Sequence, residues 1–202
     1  MKGVKEFKAA AREQLCGKWS QAALFTLVYL LLAVAISVFE GSLWNYSIIT
    51  TIVIIPACFS YVTAFLEDKR TGAGFNVAML FAGYKDFLRI VGTYLLTYLY
   101  VFLWTLLLII PGIIKSLSYS QVLFILKDNP ELSYDAAIER SMAMMDGHKL
   151  RYFWLGLTFI GWIILGSITF GIAYFWVIPY MTATMTDFYE EVKAEYETKI
   201  AA

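Results

Sequence analysis

Gly147-His148-Lys149 opens a long apolar stretch that runs through Phe159-Ile160-Gly161-Trp162 to Val177-Ile178-Pro179 and closes on Asp187, Glu190 and Glu191. The same order of events occurs twice upstream. Gly83-Tyr84-Lys85 leads into an apolar run that meets Ile109-Ile110-Pro111, and Gly17-Lys18-Trp19 into one that meets Ile54-Ile55-Pro56. The three glycines stand 66 and 64 residues apart. Equal spacing of like punctuation is the signature of one supersecondary unit used repeatedly. The units divide a single membrane domain, 1–202, at 1–68, 69–132 and 133–202.

Hydrophobic residues make up 60% of the chain and aromatic residues 17%, more apolar surface than a soluble domain of this length can bury. Gln21 to Phe39, Tyr46 to Leu66, Phe87 to Ile114 and Phe153 to Met185 meet or exceed the roughly 20 residues a helix needs to cross the hydrocarbon layer. Phe87 to Leu126 is too long for one span of ordinary tilt and has to be divided. The resulting expectation is an all-α polytopic bundle of six spans in three hairpins: 20–39 with 46–66, 87–107 with 109–126, and 152–168 with 171–189. Return turns fall at Glu40-Gly41-Ser42, near Leu106 to Leu108, and at Thr169-Phe170-Gly171. The middle turn is the least marked, because no turn residue precedes Pro111.

Charge tests that division independently. With six spans and both ends on one side, every Lys and Arg except Lys115 falls on one face, and basic residues flanking spans stay in the cytoplasm. The expected location is therefore the cell (cytoplasmic) membrane, multi-pass, with both termini cytoplasmic. An apolar segment with Ala33-Val34-Ala35 inside it has the look of a secretory signal, but cleavage there would destroy the first unit, so it reads as a retained helix. Cys16 and Cys58 lie at different depths and are not expected to pair.

A segment of interfacial character precedes each hairpin. Val4, Phe7, Ala11 and Leu15 form a stripe at helical spacing, with Lys2, Lys5, Lys8, Arg12 and Glu13 on the other face. In the third unit Ser133 reads as N-cap and Asp135 as a first-turn acid, with Tyr134, Ile138, Met142 and Met145 on one face and Gly147 as terminator. Gly17 and Gly83 would end the equivalent helices. Two readings stay open: helices lying in the headgroup layer, or linkers packed on the bundle.

These residues carry a family resemblance. Pro111-Gly112-Ile113-Ile114-Lys115, Leu117-Ser118-Tyr119-Ser120, Asp128-Asn129-Pro130-Glu131-Leu132-Ser133, Gly147-His148-Lys149, Phe159-Ile160-Gly161-Trp162, Pro179-Tyr180 and Phe188-Tyr189 together resemble a bacterial integral-membrane family of unknown function, number 975. The opening Ala11-Arg12-Glu13-Gln14-Leu15-Cys16-Gly17-Lys18-Trp19 resembles its start, so the likeness spans nearly the whole chain. It is also distantly similar to the membrane domain attached to some glycerophosphodiester phosphodiesterases, without their soluble catalytic domain. The resemblance implies a helical membrane protein with no established activity.

Catalytic machinery is not expected. One His and two distant Cys make no metal site, and neither a His-Glu-x-x-His spacing, a Gly-x-Ser-x-Gly turn nor a phosphate-cradling glycine loop occurs. No metal, cofactor or nucleic-acid partner is implied. Lys2, Lys5, Lys8, Arg12, His148, Lys149 and Arg151 are candidate headgroup ligands at span ends. Polar residues cluster in the second helix of each hairpin: Ser60, Tyr61 and Thr63; Ser116, Ser118, Tyr119, Ser120 and Gln121; Tyr180, Thr182, Thr184 and Thr186. This suggests that the second helices face one another, with Pro56, Pro111 and Pro179 each freeing a carbonyl for a hydroxyl. The cluster reads either as interhelical glue or as a polar pathway.

Lys115 is the exception in charge placement. Either it lies within the outer half of the bilayer and approaches Glu40, sharing a vestibule with Ser116 and Tyr119, or the helix starts late and leaves it at the outer interface. Two functions follow from these features: a non-enzymatic module that binds membrane lipids or a membrane-protein partner, including another copy of itself, or a small permease or flippase-like carrier. The scarcity of intramembrane charge and the hairpin repetition favour the module.

Overall fold

The computed structural model describes residues 2–41 and 47–201, with side chains except at 37–41 and 47–51. Among these the regular structure is helical, with no strand. The α-helices are α1 (Val4–Leu15), α2 (Trp19–Gly41), α3 (Ser47–Thr71), α4 (Phe87–Leu107), α5 (Ile109–Ser118), α6 (Val122–Asp128), α7 (Tyr134–Met144), α8 (Lys149–Leu157), α9 (Ile160–Ile168) and α10 (Tyr174–Ala201). A 3₁₀ segment, Val77–Asp86, precedes α4. Among the described residues four stretches are long and apolar enough to cross a membrane: Trp19–Ile36, Val77–Leu107, Ile109–Asp128 and Lys149–Ile168.

Backbone punctuation follows local chemistry. Leu108 turns to an extended conformation between α4 and α5, and Pro111 sits in the first turn of α5, where an amide N–H has no helical partner to lose. Phe170 (φ 51°) and Gly171 (φ 90°) make the turn between α9 and α10. Ser42 of the first expected turn lies outside the described residues. Gly17 (φ 74°) and Gly147 (φ 80°) take the left-handed conformation that ends a helix. Gly83 does not terminate anything. It lies inside the 3₁₀ segment with its amide bonded to Ser60 Oγ at 2.7 Å, so its role is close approach to α3.

Two helix breaks contain no proline or glycine themselves. Tyr119–Gln121 separates α5 from α6, and Thr158–Phe159 separates α8 from α9. At the first break Ser141 of α7 donates to the Ser118 carbonyl (2.8 Å) and accepts from the Gln121 amide (3.3 Å), so one buried hydroxyl satisfies both freed groups. At the second, Lys8 of α1 donates to the Thr158 carbonyl at 3.2 Å.

Helices α3, α6 and α10 meet at the centre. α3 touches both others, and Phe124 of α6 stacks on Tyr189 of α10 at 4.8 Å. The segments expected before each hairpin are seated on these central helices. α1 lies on α10 and the 3₁₀ segment on α3, while α7 wedges against α4 and α6. A 12-residue helix such as α1 is marginal alone in water. Here Phe7, Ala11 and Leu15 are fully buried, and each large side chain contributes about 1.5–3 kcal/mol. The stripe of α1 is thus occupied by protein, and its polar face turns outward. Leu106, Leu107, Leu108, Ile109 and Ile110 stay exposed as a contiguous apolar surface of the kind that faces lipid.

Candidate functional site

Each central helix carries a buried aspartate at one shared end of the bundle: Asp68 on α3, Asp128 on α6 and Asp187 on α10. A buried carboxylate needs charge partners, and the fold delivers them from several segments. Arg70 makes a two-pronged contact with Asp128 (2.6 and 2.8 Å), and Lys193 (2.6 Å) and the Tyr189 hydroxyl (2.7 Å) complete its shell. Lys2 (3.0 Å) and Lys69 (2.9 Å) hold Asp187. Lys18 (2.6 Å), Gln14 (3.1 Å) and the Gly74 amide (2.8 Å) hold Asp68. Hydrogen bonding to Asp128, and then to Glu190, raises the Arg70 guanidinium above its ordinary value. The result is a clasp tying the ends of α3, α6 and α10 together.

Several of the expected headgroup cations are consumed by this clasp. Lys2 pairs with Asp187, and Arg151 with Glu191 (2.7 Å) while also donating to the Lys2 carbonyl. His148 is buried and faces Glu195 at 3.4 Å, and Lys149 lies 3.8 Å from Asp146. Lys5 is exposed.

Lys8 and Arg12 go elsewhere. They project from successive turns of α1: Arg12 lines an aromatic crevice of about 260 Å³ with Trp19, Trp162, Trp176, Val177 and Tyr180, and Lys8 stands at its edge over Phe159, whose ring meets Tyr180 edge-on at 5.6 Å. Tyr180 is its buried floor, with Trp19 and Trp162 each 6.3 Å from it, ring centre to ring centre. The Arg12 guanidinium lies 5.6 Å above the Tyr180 ring and the Lys8 ammonium 4.5 Å above Phe159. Burial and then the nearby Arg12 charge lower the Lys8 ammonium below its ordinary value. The three indoles come from α2, α9 and α10, so no local pattern joined them. Trp19 alone adjoins the end of an expected span, where tryptophan collects at a membrane interface, while Trp162 and Trp176 fall inside the expected spans 152–168 and 171–189.

Lys115 is half-buried, with Trp104 (4.9 Å) and Tyr119 (5.9 Å) under its ammonium and Met142 Sδ at 3.6 Å. Ser116 is exposed and donates to the Ile113 carbonyl, and the side chain of Glu40 lies outside the described residues. Ser120 accepts from Gln121 Nε2 at 2.8 Å, and Gln121 is fully buried. On α3 and α10 the hydroxyls turn back on their own helices: Ser60 to Pro56, Thr63 to Phe59, Thr182 to Ile178, Thr184 to Tyr180 and Thr186 to Thr182. Tyr61 reaches across to Thr26 of α2 at 2.8 Å.

An extended apolar exterior, helices of membrane length and a charged end closed by ion pairs describe a membrane protein. Residues 1–118 and 105–196 match the family described as protein of unknown function (DUF975). The chain belongs to that family. Among curated proteins and solved structures no match to this DUF975 protein is found.

Proposed function

We propose that this DUF975 protein is a non-enzymatic membrane module of six spans in three hairpins, with units 1–68, 69–132 and 133–202, that binds lipid or a membrane partner at its cytoplasmic end. The carrying observation is the centre of the bundle. Hydroxyls of α3 and α10 are satisfied by their own carbonyls, and the space between α6 and α10 is filled by the Phe124–Tyr189 stack. That arrangement favours a packed axis over a solute path. The seating of α1 on α10, of the 3₁₀ segment on α3 and of α7 on α6 supports three like units closing as a ring. A likeness to the membrane domain of glycerophosphodiester phosphodiesterases fits an accessory module.

Affinity purification from the native membrane, with lipids and proteins identified by mass spectrometry, tests the binding reading. A defined lipid or protein is expected to persist through exchange into fresh detergent; a chain that emerges bare refutes the module. The carrier is kept as a second reading because Gln121 Oε1 is buried without a hydrogen-bond partner among the described residues and Lys115 lies along the same segment.

Topology is tested separately. Reporters fused after Thr198 and inserted in the Gly72–Gly74 connection after α3 are expected to report cytoplasm. An external signal at Thr198 would leave an odd number of spans.

A further inference from the structure

The crevice beneath Arg12, with Lys8 at its edge, combines two features. Among the described residues no carboxylate pairs with either cation. Asp187 and Glu191 are engaged by Lys2, Lys69 and Arg151, Asp68 by Lys18, and Glu6 by the Gly3 amide. Arg12 makes no hydrogen bond or ion pair among the described residues, and the contacts of Lys8 are a carbonyl and an aromatic ring. Two cations one helical turn apart repel each other unless an anion lies between them. The second feature is apolar: Trp162 and Trp176 remain 40% and 49% exposed beside the buried Tyr180 and Val177, and they belong to segments leading into the apolar body of the bundle.

We propose that this crevice seats one anionic glycerophospholipid of the surrounding leaflet, its phosphate on Arg12 and Lys8 and the upper part of an acyl chain along Trp162 and Trp176. The proposal rests on the lipid-binding reading above and narrows it from seven cations to two. A guanidinium presents paired donors to phosphate oxygens, and indoles suit the boundary where headgroup meets chain. A choline headgroup is disfavoured, because its quaternary ammonium would lie beside two like charges. The seat is also built rigidly: the Tyr180 hydroxyl reaches the Lys8 carbonyl at 3.4 Å, joining α10 to α1 at the seam between the first and last segments. A lipid bound there bridges that seam.

The test uses the full chain in phosphatidylcholine nanodiscs doped with a minor fraction of brominated phosphatidylglycerol or brominated phosphatidylcholine, with tryptophan quenching as the readout. Wild type should enrich phosphatidylglycerol roughly tenfold, equivalent to about 1.4 kcal/mol. Arg12→Gln with Lys8→Gln should bring the two lipids to parity, Arg12→Lys should retain most of the preference, and Lys5→Gln on the same helix should leave it intact. Equal loss in Lys5→Gln would make the preference a diffuse field effect and overturn the site. Competition by millimolar inorganic phosphate would overturn the lipid as ligand. Preference unchanged in the double variant, with its melting midpoint unchanged, removes this site but leaves lipid binding by the module standing. A wild type with no preference and no retained lipid removes both.

Discussion

Asp128→Ala is expected to lower the thermal stability of the detergent-solubilised protein more than any other single change in the clasp. The Asp128 carboxylate is 6% exposed and receives Arg70, Lys193 and the Tyr189 hydroxyl. Removing one partner of a buried ion pair costs about 3–5 kcal/mol, because the charge left behind is desolvated and unmatched. Here Arg70 and Lys193 remain 37% and 22% exposed, and Arg70 keeps Glu190 at 2.7 Å, so the loss should fall nearer about 2–3 kcal/mol. Glu67→Gln supplies the contrast. Its partner Lys127 is 3.1 Å away, but both groups are more than a third exposed in side-chain terms or close to it (45% and 35%), and the expected loss is at most about 0.5 kcal/mol. Circular dichroism melts of the two variants decide the matter. If they unfold at the same midpoint, the clasp is a surface ornament and does not hold the three central helices together.

The helices were legible where hydrocarbon dictates them. The run of α2 is apolar on nearly every face, and the chain leaves helical geometry at Leu108 and at Phe170-Gly171, inside the stretches read as turns. The end of α10 was not legible, because beyond Tyr189 the chain turns charged. It stays helical to Ala201, with Lys199–Glu195 and Lys193–Glu197 spaced one turn apart along it. The breaks at Tyr119–Gln121 and Thr158–Phe159 were also hard to place, since the groups that meet their freed carbonyls, a Ser141 hydroxyl and a Lys8 ammonium, arrive from distant segments. For the site, sequence identified the cations but not their partners. Lys2, His148 and Arg151 look alike as span-end charges until α10 places Asp187, Glu195 and Glu191 against them. Lys8 and Arg12 differ from these only in meeting aromatic rings instead of acids.

Two glycine-to-alanine substitutions are expected to act with opposite signs, which isolates close packing from helix propensity. A methyl group at Gly83 would lie 2.5 Å from the Pro56 carbonyl oxygen, 2.8 Å from Ser60 Oγ and 3.0 Å from the Phe59 ring. The nearest of these is backbone of α3 and has no rotamer to yield, so the 3₁₀ segment must lift away and strain the 2.7 Å bond from the Gly83 amide to Ser60. Overpacking of this kind costs about 1–3 kcal/mol. Gly156 lies in α8 with nothing among the described residues within 4 Å of the added carbon, and there alanine lowers the backbone entropy lost on ordering, for a gain of up to about 1 kcal/mol. Melting midpoints should therefore fall for Gly83→Ala and hold or rise for Gly156→Ala. A Gly83→Ala protein as stable as wild type would show that the 3₁₀ segment does not need its contact with α3, and the seating of α1, the 3₁₀ segment and α7 on the central helices would lose its second member.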